Sequence, residues 1–128
     1  MSECTESLLK LSLDFRDCRK SFIAIGDETR QQIIITLLES DYNGIRVGEI
    51  TKKTHLSRAS VSHHLKILKD AGIVTMRREG TRNYYFMNAN NNQWQKIMNF
   101  IENVNKIIQS MPHEEKLIFN GTDINTNL

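Results

Sequence analysis

Apolar positions recur along this chain with two different periods. Leu8, Leu11, Phe15, Cys18 and Phe22 are spaced alternately three and four apart, which lays one stripe along a helix over about 6–21. Asp27 then stands as an N-cap ahead of Glu28-Thr29-Arg30. Ile33, Ile34, Leu37 and Leu38 supply the buried face of a second helix that stops near Asn43-Gly44. A short third helix fits Val47 to Lys53. Ser57 caps a fourth, with Val61, Leu65 and Leu68 inward and Gly72 as a left-handed stop. The period then shortens. Ile73-Val74-Thr75-Met76 and Asn83-Tyr84-Tyr85-Phe86-Met87 read as two strands joined through Glu79-Gly80-Thr81. After an Asn-rich turn at 88–92, Trp94, Ile97, Ile101, Val104, Ile108 and Met111 mark a last helix over about 91–111, ended by Pro112.

This order predicts a mainly α fold with a small β-hairpin. A short helix, a tight turn and a second helix, followed at once by a hairpin rich in arginine, is the arrangement of a winged helix-turn-helix. We expect a single domain over 1–112, with a DNA-binding core over about 46–88 and a frayed tail over 113–128. Residues on the fourth helix are about 100° apart. If Val61, Leu65 and Leu68 face the core, Ala59, Ser62, His63 and Lys66 lie opposite, with Arg58 and Ser60 exposed near the start. Hydroxyl, imidazole and guanidinium groups there can reach base edges or phosphates, and the N–H groups at Ser57 favour a phosphate. Arg77, Arg78 and Arg82 flank the glycine turn and are expected to project from a narrow tip toward DNA.

Charge distribution points to the same stretch. The net charge is only +2, but residues 46–82 hold nine Lys/Arg against three Asp/Glu, whereas residues 1–45 hold five against eight. A local excess of cations attracts a polyanion by releasing its condensed counterions. Composition otherwise describes a globular chain, with 39% hydrophobic and 25% charged residues. No apolar run is long enough to span a membrane and the N-terminus lacks a signal-peptide pattern, so a cytoplasmic location is expected. Cys4 and Cys18 form no CxxC pair. There is no Gly-rich phosphate loop and no nucleophile elbow, which argues against an enzyme.

The segments Phe22-Ile23-Ala24-Ile25-Gly26-Asp27-Glu28-Thr29-Arg30 with Ile33, Leu37 and Leu38, and Leu56 to Val74 through Ser62-His63-His64-Leu65, resemble the ArsR-type winged-helix repressors, as does Arg78-Glu79-Gly80 with Tyr84-Tyr85. The resemblance covers about residues 20 to 88. It implies metal- or effector-responsive repression by a homodimer on a palindromic operator, with the first and last helices as the dimer interface. The two stripes suit that role independently, through Leu8, Leu11, Phe15, Cys18, Trp94, Ile97, Ile101, Val104 and Ile108. A competing arrangement packs the two stripes against each other within one chain.

The departure from the family concerns its sensor. Metal sites of that family use Cys-x-Cys in the third helix or Asp/His clusters on the last, and neither pattern is present. No metal and no cofactor is therefore expected, and the effector is left as an unidentified small molecule or a redox signal. Cys18, on an apolar stripe, reads as a small buried hydrophobe, with redox gating as its alternative role. His63 is expected to face DNA, His64 to pack or cap locally, and His55 to lie at the surface. A winged helix used only for protein–protein assembly is the remaining rival, because fold alone does not fix function.

Overall fold

The computed structural model describes residues 3–41, 43–88 and 92–111. Five helices and two strands follow in the order α1 (Glu3–Ile25), α2 (Glu28–Leu38), α3 (Val47–Thr54), α4 (Arg58–Asp70), β1 (Val74–Glu79), β2 (Arg82–Met87) and α5 (Asn92–Ser110). Pro112 and the tail at 113–128 lie outside the described residues.

Helix ends follow the side chains that can satisfy free backbone groups. Asp27 accepts a hydrogen bond from the Arg30 N–H at 3.0 Å, and Ser57 accepts one from the Ser60 N–H at 3.1 Å, so both expected N-caps are in place. At the far end of α4, Gly72 takes a φ of +78°. The Ile73 N–H then donates to the Leu68 carbonyl and the Gly72 N–H to the Lys69 carbonyl, which is a Schellman closure. Leu68 and Ile73 are both fully buried there.

Helix α1 runs further than its stripe predicted, from residue 3 to 25, because Ser21 and Ala24 continue its buried face. Helix α2 is shorter than predicted and ends at Leu38, well before Asn43-Gly44. The Ser40 hydroxyl donates to the Thr36 carbonyl and the Asp41 carboxylate accepts from the Asn43 N–H, and such local bonds compete with further helix.

The core is built from Ile33 and Leu37 of α2, Ile50 of α3, Val61, Leu65 and Leu68 of α4, and Ile73 and Val74 entering the hairpin. Burying each large aliphatic chain contributes about 1.5–3 kcal/mol. Strands β1 and β2 are antiparallel, with Val74 opposite Met87 and Glu79 opposite Arg82, and Gly80-Thr81 close the turn. Ile45 adds a bridge on the outer side of β2, exchanging both backbone hydrogen bonds with Tyr85 at 3.0 and 2.8 Å. This ties the segment ahead of α3 to the wing, a link that hydrophobic periodicity does not display.

The two terminal helices pack on each other. Phe15 and Phe22 of α1 meet Phe100 of α5 in an aromatic trio with centroids 5.2 to 5.8 Å apart. Cys18 and Ile97, expected at a dimer interface, are instead buried inside the chain at 1% and 6% exposure. The reason is that α1 and α5 pack on each other within the chain and use up part of both stripes; Phe100 also faces α1, so the spacing of three and four from Trp94 describes only part of the packed surface of α5. Leu11, Trp94, Val104 and Ile108 are half-buried. Leu8, Phe15 and Ile101 stay largely exposed, together with Leu9, Leu13 and Met98, which the stripes do not include. Among the described residues, no helix is long and apolar enough to cross a membrane.

Candidate nucleic-acid interface

Helix α4 is two-sided. Val61, Leu65 and Leu68 are 0 to 1% exposed, while Arg58, Ala59, Ser62, His63 and Lys66 all reach solvent. Ser60 is half-buried, and the Ser57 oxygen is engaged in capping, so these two residues begin the helix as much as they line its surface. Lys66 lies 3.7 Å from Asp70, with both side chains well exposed. A pair of this kind is weak, and leaves the lysine available to another anion.

Helices α3 and α4 meet across His55-Leu56-Ser57. His55 caps α3 in the left-handed region, at a φ of +60°, with its N–H donating to the Thr51 carbonyl at 2.8 Å. Its side chain is exposed, as expected, and its backbone makes the sharp turn between the helices.

The three wing arginines do not act alike. Arg78 and Arg82 are exposed, and the Arg78 Nε–H donates to the Gly80 carbonyl at 3.1 Å, which keeps its guanidinium at the tip. Gly80 has a φ of +61°, and a Cβ built on it would meet nothing within 4 Å, so that side of the tip is open. Arg77, expected to project with them, lies over the Tyr84 and Phe86 rings at 5.1 and 5.9 Å. It also donates to the Asn43 carbonyl at 3.0 Å and pairs with Glu79 at 3.2 Å. Successive strand residues point to opposite faces, so Arg77 and Arg78 cannot both leave by the same side.

Sequence reasoning by helix face missed two cations. Arg46 and Lys52 line a cleft of about 350 Å³ with Gly48, Glu49 and Arg58. A Cβ built on Gly48 would lie 3.7 Å from an Arg58 nitrogen, ordinary van der Waals contact, which places the Arg58 guanidinium beside the start of α3. Their signal was the local charge: both fall in the basic stretch 46–82.

The remaining candidate groups serve packing. His64 is half-buried with Nδ1 3.2 Å from an Arg30 nitrogen, as a locally packed residue should be. Burial pushes the Cys18 thiol above its ordinary pKa, with Asp17 and Asp14 adding to the effect and Lys96 opposing it. A raised pKa disfavours the reactive thiolate. Among the described residues, no three His, Cys, Asp or Glu side chains gather as metal ligands do.

Comparison with known proteins meets this geometry. A family model described as bacterial regulatory protein, arsR family, matches residues 27–76. An uncharacterised helix-turn-helix-type transcriptional regulator of Methanocaldococcus jannaschii is 42% identical over 66 residues, which cover 52% of this chain and 72% of that protein. The transcriptional repressor SdpR of Bacillus subtilis is 38% identical over 68 residues, covering 53% and 72%. Among solved structures, a predicted DNA-binding transcriptional regulator from E. coli superposes with a TM-score of 0.57 at 27% identity, covering 76% of this chain and 98% of the other. The crystal structure of an ArsR family transcriptional regulator reaches 0.58 at 17% identity, covering 88% and 100%, a likeness of fold. The family match takes in α2, α3, α4 and the start of β1, and leaves out both terminal helices.

Proposed function

This chain belongs to the arsR family of bacterial regulatory proteins, and from that premise we propose that it represses transcription by occupying a palindromic DNA site as a homodimer. Of its features, the two-sided α4 carries this reading furthest: one face is sealed in the core, and the other offers Arg58, Ser62, His63 and Lys66 to a major groove. A pure assembly module would show apolar or acidic residues at those positions. Arg78 and Arg82 at the wing tip, with Arg46 and Lys52 beside Arg58, supply contacts to the phosphate backbone on either side.

Repression as the direction of control is supported by the description of the B. subtilis relative as a repressor. Dimerisation is supported by the large apolar residues left exposed on α1 and α5. A regulator of this family acts on DNA in the cytoplasm, and the burial of Cys18 disfavours a thiolate there, which favours an effector acting elsewhere on the chain over redox gating at that residue.

The experiment is selection of duplexes from a random pool by the purified protein. Recovery of one palindromic motif supports both site-specific binding and two-fold symmetry. A pool that stays random through successive rounds would overturn the reading.

A further inference from the structure

Arg30 does not belong to the face that α4 offers to DNA, yet all three of its guanidinium nitrogens are engaged next to that helix. Its Nε–H donates to the Ala24 carbonyl at 2.7 Å and an Nη2–H to the Ile23 carbonyl at 3.3 Å, both in the last turn of α1. The remaining nitrogen, Nη1, lies 3.2 Å from Nδ1 of His64, in the middle of α4. Arg30 is itself held at the start of α2, where its backbone N–H is the one that Asp27 caps. One side chain on α2 therefore joins the end of α1 to the recognition helix.

The chemistry of this joint is restrictive. A guanidinium has only donors, so the contact requires a lone pair on His64 Nδ1 and hence a neutral ring with its proton on Nε2. A protonated His64 would turn an N–H toward another cation. Facing the ring are Arg30 on α2, Asp27 at the N-cap of α2, and His63 on α4 itself. Burial holds its pKa below the ordinary 6.5, with Arg30 and His63 adding to this and Asp27 opposing it. His63, whose ring centroid is 5.2 Å from that of His64, is one of the groups offered to the major groove.

We propose that Arg30 is a positioning residue for DNA reading: through neutral His64 it fixes the recognition helix against the end of α1, and protonation of His64 releases that hold and lowers discrimination between sequences. The inference rests on the DNA-reading function argued above. It differs from a direct DNA contact in that neither side chain needs to touch the duplex.

The test measures affinity for a duplex recovered from the random pool and for a scrambled duplex of equal length and composition, from pH 8.0 down to 5.5 at constant ionic strength. Taking their ratio cancels any change in affinity that both duplexes share. In the native chain the ratio is expected to fall by about five- to tenfold on acidification. His64→Asn places an amide oxygen near the position of Nδ1 and cannot titrate, so it should keep the neutral-pH ratio and lose the pH dependence. Arg30→Lys, which cannot make the three-way contact, should lower the ratio at every pH while melting as a folded protein. His63→Asn should retain the pH dependence. A native ratio that is high and constant across the range, or a pH dependence that survives in His64→Asn, would overturn the proposal while leaving DNA reading intact. Equal affinity for both duplexes at every pH would overturn the DNA-reading function and the proposal together.

Discussion

The Ser21 hydroxyl of α1 donates to the Ala71 carbonyl at the C-terminal end of α4, 3.2 Å away across 50 residues of sequence, with Ser21 fully buried. This carbonyl is among those that the end of a helix leaves without an intrahelical partner. Replacing Ser21 with alanine removes the donor and leaves a buried acceptor unpaired, which costs about 1–3 kcal/mol. Chemical denaturation should show that loss as a lower midpoint with an unchanged slope. An unchanged midpoint would mean that water replaces the hydroxyl.

The joint between the start of α2 and the middle of α4, at Asp27, Arg30 and His64, makes stability depend on pH. The Arg30 N–H, and then the Arg30 charge and His64, hold the Asp27 carboxyl below its ordinary pKa against the opposing effect of burial. A carboxylate favoured in the folded state stabilises above its unfolded pKa, and that stability is lost as pH falls through the folded one. His64 has the same sign by a different route. Its folded pKa is lowered, chiefly by burial, so the unfolded chain takes up the proton first and stability starts to fall below about 6.5. Denaturation midpoints should therefore decline in two stages, first as pH drops from 7 toward 5, then below 4. His64→Asn should flatten the first stage and Asp27→Asn the second. A decline at 7 to 5 that is identical in His64→Asn would assign it to another group.

Two glycines in the left-handed region should respond very unequally to substitution. At Gly44, with a φ of +100°, a Cβ would lie 3.1 Å from the Tyr85 carbonyl oxygen and 3.2 Å from both Phe86 and Tyr84. At Gly80, with a φ of +61°, it would meet nothing. Gly44→Ala should destabilise by about 1–3 kcal/mol and loosen the Ile45 bridge to the wing. Gly80→Asn, a residue that tolerates this conformation, should cost a few tenths of that. Thermal melting of the two variants decides the matter, and equal losses would contradict it.

These local relations explain why some of the fold was legible in the sequence and some was not. The caps at Asp27 and Ser57, the stop at Gly72 and the inward row Val61, Leu65 and Leu68 depend on residues close in sequence, and each is where its spacing predicts. The Ile45–Tyr85 bridge and the turn of α5 that brings Phe100 onto Phe15 depend on partners far along the chain. No periodicity within one segment encodes them. Arg77 shows the same limit at a single residue. Its charge placed it with Arg78, but the alternation of the strand and the rings of Tyr84 and Phe86 place it on the other face.

The wing should accordingly divide into two kinds of arginine. Arg78→Ala and Arg82→Ala remove exposed cations from the tip, and each should weaken binding to all duplexes alike while reducing the salt slope by about one. Arg77→Ala removes a cation–π contact and a tie to Asn43, so its first effect should be on wing stability, of about 1 kcal/mol. Ser62→Ala and His63→Ala should instead change the preferred sequence. Titrations at several salt concentrations separate these outcomes, and a salt slope for Arg77→Ala equal to that of Arg78→Ala would place Arg77 on the DNA after all.

The proposed dimer can be tested without confusing association with folding, because the packing of α1 on α5 sorts the candidate residues. Leu11 is half-buried and lines grooves with Phe100 and Ile107 of α5, and Cys18 is fully buried, so a charge at either would disturb the protomer itself. Ile101 is 58% exposed and makes no comparable contribution to the core. If the exposed apolar surface of α5 joins two chains, Ile101→Asp should lower the sedimentation coefficient to that of a monomer while the helical content stays native. Phe15 is a less clean probe, since its ring also meets Phe22 and Phe100. A monomer of Ile101→Asp should also bind a single half-site weakly and lose the gain from two-fold symmetry. A dimer of undiminished affinity in this variant would exclude the α5 surface around Ile101 from the interface.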